Sequence, residues 1–306
     1  MGRSADVASA APSRGVHPRA RPLGAGRELP AEAYFLVSAV FHYLGPAFAV
    51  MLFARVQVLG VAWLRIASAA VILAAWRRPW RAFADQDHAG RLLLVGWGAV
   101  LAVMNVCFYE AIDRLALGTV AAIEFLPVVA LAAVGMRTRR NALALAIAVV
   151  GVYLLTHVQF AAEPLGLAFA GLNAALFAVY IVLADRVAKR PGLTGLDGLA
   201  GAMLVALVVV TPIAARAAAP AFTDPVGLLA GIGVGVSSSV IPYVTDQLAL
   251  ARLPRATYAL MVSLLPAIAT VIGIVVLTQI PTAAQAVGVL LVVAGVALHR
   301  TRVQPS

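Results

Sequence analysis

The chain predicts an all-α integral membrane fold of about ten transmembrane helices, arranged as two inverted five-helix repeats. Three observations lead there. Of 306 residues, 62% are hydrophobic and 12% charged, about half the ~25% charge usual in soluble domains. The apolar residues gather into runs near the ~20 residues a helix needs to cross ~30 Å of hydrocarbon. The two halves of the chain also resemble each other, and basic residues alternate with the runs.

Residues 1–32 come first. Their stretch is rich in Arg, Pro, Gly and Ala and lacks apolar periodicity, so a disordered cytoplasmic arm is expected. The first apolar run begins near Ala33 and is of spanning length rather than a short signal-peptide core. Spans are then expected at 33–53, 58–76, 92–111, 116–136, 141–157, 165–184, 198–215, 226–248, 256–277 and 283–299. All are continuously apolar, whereas a membrane strand would be short and alternating. A short cytoplasmic tail, 300–306, closes the chain.

The formal net charge is +10. Basic composition can signal nucleic acid, but here the cations sit in loops, where the positive-inside rule expects them. The arm and alternate loops carry 19 of the 23 Lys and Arg residues, and the opposite loops carry Arg55, Arg114 and Arg216. That bias predicts both termini in the cytoplasm. Nucleic acid is not expected as a partner. The single cysteine, Cys107, cannot form an internal disulfide and reads as a small buried residue.

Residues 111–126 (AIDRLALGTVAAIEFL) align with 249–264 (ALARLPRATYALMVSL), with Arg114 on Arg252 and Thr119 on Thr257. Pro127 matches Pro266 after a one-residue slip, and 142–155 aligns with 286–299, Gly151 on Gly295. The repeats are expected over 33–157 and 165–299. Five spans is an odd number, so the second copy enters the membrane inverted. Inverted repeats recur in transporters, with the substrate site at the midplane between them. Pro127 and Pro266 are then candidate paired hinges.

Polar groups in hydrocarbon are costly and face a cavity or a partner helix. Asn105 and Tyr109 share a face of the third span. Tyr243, Asp246 and Gln247 lie on the eighth, His42 on the first, Asn173 and Tyr180 on the sixth. His42 falls on Tyr180 in the repeat register, and Asn105 on Tyr243. Glu124 sits near the middle of the fourth span, where an ionised carboxylate must be protonated, paired or hydrated. That suits a proton carrier. Arg65, in the second span, either snorkels to the outer interface, pairs with Glu124 or Glu110, or receives a substrate carboxylate. Zinc, phosphate-loop and nucleophile-elbow patterns are missing, and the histidines are scattered. Neither a metal nor another cofactor is expected.

The stretch MNVCFYEAIDRLALGTVAAIEFLPVVAL at 104–131 resembles the drug/metabolite transporter superfamily, EamA-type, and within it the threonine/homoserine exporter (RhtA-type) subgroup. Asn105, Phe108, Tyr109, Arg114, Gly118, Glu124 and Phe125 carry the likeness, and IPYVTDQLALARLPRATYALMVSLLPAIA at 241–269 is similar to the subgroup's later motif. Leu126-Pro127 stands where the family often has Gly-Pro, and Thr278-Gln279 where it often has Gly-Glu.

The resemblance implies a transporter rather than an enzyme. It would sit in the inner membrane, export small amino acids or related metabolites, and exchange them for protons. It implies Glu124 as the coupling carboxylate, a cavity lined by Asn105, Tyr109, Tyr180 and Tyr243, and Arg65 as a partner for a carboxylate; the polar stripes on the spans add Gln247 and His42 to that cavity. Other readings are efflux of drugs or secondary metabolites, a membrane-embedded lipid enzyme, or a non-transporting receptor or assembly subunit.

Overall fold

The computed structural model describes residues 30–135, 138–156, 162–250, 252–253 and 255–298. Residues 1–29 of the expected arm (1–32) and the whole expected tail (300–306) lie outside them, while Ala31 and Glu32 already belong to the first helix. Every regular element among the described residues is helical. In chain order these are α1 (Ala31–Leu52), α2 (Val58–Arg77), α3 (Pro79–Ala84), α4 (His88–Arg114), α5 (Leu117–Gly135), α6 (Arg139–Thr156), α7 (Pro164–Ala188) and α8 (Gly195–Ala218). They continue with α9 (Pro225–Gly235), α10 (Ile241–Leu250), α11 (Arg255–Val262), α12 (Leu265–Leu277) and α13 (Ala283–Leu298).

Among the described residues, seven helical stretches are long and apolar enough to cross a membrane, with shorter apolar helices at Leu117–Pro127, Leu265–Leu277 and Ala283–Leu298. Leu36, Val71, Val208, Leu229 and Val275 are exposed along them, as lipid rather than water would require.

Local chemistry sets the ends. Asp87 caps α4 by accepting the Gly90 N–H at 2.7 Å, and Thr194 caps α8 through the Asp197 N–H at 3.2 Å. Pro164 and Pro225 stand in the first turns of α7 and α9, where a missing N–H costs nothing. Arg78, at φ 50°, ends α2 in the left-handed conformation and starts α3.

Three features depart from the ten-span reading. The six-residue α3 falls in what the charges of Arg77, Arg78 and Arg81 suggested was loop. The eighth expected span is α9 and α10 joined by a π turn at Val236–Val240. The ninth is divided by a turn at residues 263–264 between α11 and α12.

Packing joins one half of the chain to the other through antiparallel pairs. α2 lies along α8: a Cβ on Gly60 would meet the Ala217 carbonyl at 2.2 Å, and at the far end Arg77 Nε reaches Asp197 Oδ1 at 2.8 Å. α6 lies along α13: a Cβ on Gly151 would meet the Gly288 carbonyl at 2.7 Å, and one on Gly295 would meet that of Ala144 at 2.8 Å. α4 meets α7 through Gly166 against Arg114 and Leu115 at one end and Trp97 against Tyr180 further along. α1 meets α9 and α10 through Arg55–Asp224, Gly45–Ser238 and Ser38–Asp246. Small residues let these helices approach backbone to backbone.

Candidate functional site

Between the halves lies an interior cavity with about 70 Å³ of water-accessible space, room for more than one water. His42 and Pro46 of α1, Arg65 of α2, and Met104, Asn105 and Phe108 of α4 line it. Glu124 of α5, Asn173, Phe177 and Tyr180 of α7, and Tyr243 of α10 complete the wall. Seven of the polar residues singled out from sequence therefore surround one space: His42, Arg65, Asn105, Glu124, Asn173, Tyr180 and Tyr243. They come from six different helices, α1, α2, α4, α5, α7 and α10. Only the tertiary fold brings them together.

Glu124 is 6% exposed. Its Oε1 accepts a hydrogen bond from Asn173 Nδ2 at 3.1 Å. Asn173 is fully buried, and its Oδ1 has no hydrogen-bond partner among the described residues. Asn105 is also buried, and its Nδ2 donates to the Leu101 carbonyl one turn back at 2.8 Å. The aromatic side of the cavity is a chain of ring contacts. Phe177 stacks on Tyr180 with centroids 6.2 Å apart, and meets Phe125 edge-on at 6.1 Å.

Arg65 does not snorkel. It is 7% exposed. Its Nε donates to Ser239 Oγ and its Nη2 to the Ser238 carbonyl, each at 3.1 Å, and the guanidinium lies 5.4 Å from the centre of the Tyr109 ring. The π turn explains this placement. Such a turn leaves backbone acceptors without regular partners, and Ser238 O and Ser239 Oγ give the arginine two bonds inside the protein. Reaching outward would leave those groups unsatisfied. The turn is also crossed closely. A Cβ on Gly45 would meet Ser238 Cβ at 2.5 Å, and one on Gly235 would meet the Arg65 carbonyl at 2.8 Å. Tyr109 is fully buried beneath Arg65, behind the lining residues rather than among them.

The side chain of Gln247 lies outside the described residues. Asp246, next to it, is turned toward α1 and α11: its Oδ1 accepts from Ser38 Oγ at 3.3 Å and its Oδ2 from Tyr258 at 2.7 Å. Pro127 lies within the uninterrupted α5. Pro266 stands in the first turn of α12, just after the break at 263–264. The matched prolines thus occupy different local structures.

Asn173 was read from the sequence as a polar residue of the sixth span without being assigned to the cavity wall, and Phe177 was not singled out. Asn173 had a usable signal: an amide in an apolar run, a turn from Phe177 and seven residues from Tyr180, on the same helix face. Phe177 had none, because phenylalanine is equally at home facing lipid.

The EamA-like transporter family model matches residues 164–301. The threonine/homoserine exporter RhtA of Salmonella typhimurium (strain LT2) is 33% identical over 258 residues, covering 82% of this chain and 84% of the relative. Its counterpart from Escherichia coli (strain K12) is 32% identical over 249 residues, covering 79% and 81%. One solved crystal structure shares the fold, with a TM-score of 0.54 and 19% identity over 87% of this chain and 96% of its own. Length, apolar helices and sequence likeness agree: the chain is a multi-pass membrane protein and belongs to the EamA-like transporter family.

Proposed function

We propose that this protein exports small amino acids or related metabolites across the inner membrane by exchange with protons, with both termini in the cytoplasm. The observation that carries this reading is the cavity between the halves, where Glu124 and Arg65 line a common space walled by amides and aromatic rings. A carboxylate and a guanidinium suit the ammonium and carboxylate of a zwitterion. The names of the two exporters point to the same class of cargo.

Glu124 is the proton-coupling group. Its charge, and with it the attraction for a cationic amine, changes when it takes up a proton. Asn105, Tyr180, Tyr243, Gln247 and His42 supply neutral hydrogen-bonding groups, Tyr109 supports Arg65 from behind, and Arg65 receives the carboxylate. Alternating access comes from two inverted repeats of five spans each, 33–157 and 165–299, rocking about the cavity. The antiparallel matching of Gly151 with Gly288 and of Gly295 with Ala144 supports that symmetry, because Gly151 and Gly295 are repeat equivalents. Pro127 and Pro266 serve as hinges.

The test is counterflow in proteoliposomes with a panel of amino acids, with and without a pH gradient. Threonine-class solutes should exchange, and the gradient should accelerate them. Glu124→Gln should keep downhill exchange and lose the response to the gradient. An unchanged response would remove Glu124 from the coupling role. Flux of hydrophobic cations without amino acids would favour drug efflux instead, a reading to which the rings of Phe108, Phe177, Tyr180 and Tyr243 lend some support.

A further inference from the structure

The bond between Asn173 and Glu124 leaves an imbalance in the cavity wall. A carboxylate can only accept, so the Asn173 amide must turn its NH₂ toward Glu124, as the 3.1 Å contact shows. That choice fixes the amide oxygen on the other side. Asn173 Oδ1 is fully buried, has no donor among the described residues and belongs to a residue lining the cavity. An unpaired acceptor at such depth is costly, and native proteins keep few of them.

The hydrogen-bonded pair therefore holds two further acceptors: the second oxygen of Glu124, charged when ionised, and the neutral Oδ1 of Asn173. A water can donate to both but brings no charge; what supplies donors to both and balances the charge is a cation that carries several N–H donors. A single hydroxyl has one donor and no charge. A quaternary ammonium has charge and no donor. A primary ammonium has three donors and the charge.

We propose that Asn173, together with Glu124, forms the subsite for the primary ammonium group of the transported solute, with Asn173 Oδ1 selecting N–H donors over bare positive charge. This deepens the amino-acid export reading at the same cavity and rests on it only for the rest of the solute. The subsite itself asks for –NH₃⁺, whatever is attached. Arg65, across the cavity, provides the opposite pole for solutes that also carry a carboxylate.

Binding to the purified full chain in detergent tests this, read by calorimetry with two matched pairs of probes. The first pair is threonine and its N,N,N-trimethyl derivative. The second is ethanolamine and choline, which lack a carboxylate and so probe the ammonium subsite alone. The wild type should bind each primary amine about tenfold more tightly than its trimethyl partner, the value of one hydrogen bond to a charged group. Asn173→Leu fills similar space without an acceptor, and should bring each ratio close to one. A preference that rests on crowding alone would survive that substitution.

The wild-type ratios need no variant, so a misfolded Asn173→Leu would not shelter the proposal. Equal binding within both pairs, no binding of either pair, or a preference that persists in Asn173→Leu would each overturn it. The failures separate. If ethanolamine is preferred through Asn173 while threonine does not bind, the ammonium subsite stands and amino-acid export falls. If threonine binds and exchanges no better than its trimethyl derivative, export stands and the subsite falls.

Discussion

Replacing Arg65 by lysine keeps the charge and removes the fork. Arginine makes two bonds at fixed spacing, Nε to Ser239 Oγ and Nη2 to Ser238 O, each at 3.1 Å. A lysine ammonium is one point on a flexible stem and can keep one of them. The lost bond is a charge-assisted one in a buried setting, worth about 1.5–3 kcal/mol. The contact with Tyr109 at 5.4 Å weakens as well, since lysine gives up the planar stacking that arginine has over a ring. Together the expected loss is ~2–3 kcal/mol.

For a chain of this size, each kcal/mol moves the unfolding midpoint by about 2–4 °C, so Arg65→Lys should melt ~4–12 °C below the wild type. Tryptophan fluorescence in detergent reads the transition, because Trp63 lies two residues from Arg65 in sequence. A double-mutant cycle isolates the bond. Ser239→Ala in the Arg65→Lys background should cost less than in the wild type, with a coupling of at least ~1 kcal/mol. If Arg65→Lys melts within about 1 °C of the wild type and the coupling vanishes, the guanidinium does not hold the π turn and the account of its burial is wrong.

Other outcomes follow from the same geometry. Gly151→Val, whose Cβ would come within 2.7 Å of the Gly288 carbonyl and 2.9 Å of Val292, should destabilise the α6–α13 contact by about 1–3 kcal/mol, seen as a lower melting midpoint. Solute affinity should be unchanged, because the contact is remote from the cavity. Gly45→Ala should disturb the π turn by pressing on Ser238, and should reduce exchange rate as well as stability, both read on the same preparation. Asp87→Ala should lower the midpoint near neutral pH. The carboxyl of Asp87 is held below its ordinary 3.8, first by the Gly90 N–H and then by Arg190. Its stabilisation is present above that ordinary value and lost as pH falls through the folded one. The gap between variant and wild type should therefore close in acid, measured as midpoint against pH.

Sequence reasoning read the helical class and much of the cavity for one physical reason. Polar and ionisable groups cannot be scattered cheaply through hydrocarbon, so His42, Arg65, Asn105, Glu124, Tyr180 and Tyr243 each marked a face that had to be covered. The legible part was the requirement for partners. Their identity was not legible. Arg65 had carboxylates within plausible reach, and the partner it takes is a backbone carbonyl and a serine in an irregular turn. No periodic pattern signals a π turn, because the run Val236–Val240 is equally compatible with an ordinary helix. The six-residue α3 was hidden by its charges, with Arg78 and Arg81 reading as loop although Phe83 packs inward against Gly201 at 3.1 Å from the site of a Cβ. The division of the ninth span at 263–264 was masked by uniform apolar composition, which fixes membrane residence without fixing helix continuity.

The wide turn at Val236–Val240 has a consequence for how this helix can change length. A π turn holds one residue beyond the α-helical count, so the segments on either side keep the bearing they would have in a regular helix one residue shorter. Losing a residue at Ser237 or Ser238 would let the ladder close up and leave Tyr243 facing the cavity. The same loss in α9 or α10 would swing everything beyond it through about 100°. The eighth span thus carries a slack link beside its most crowded crossing, where length can vary in evolution without turning the binding face away.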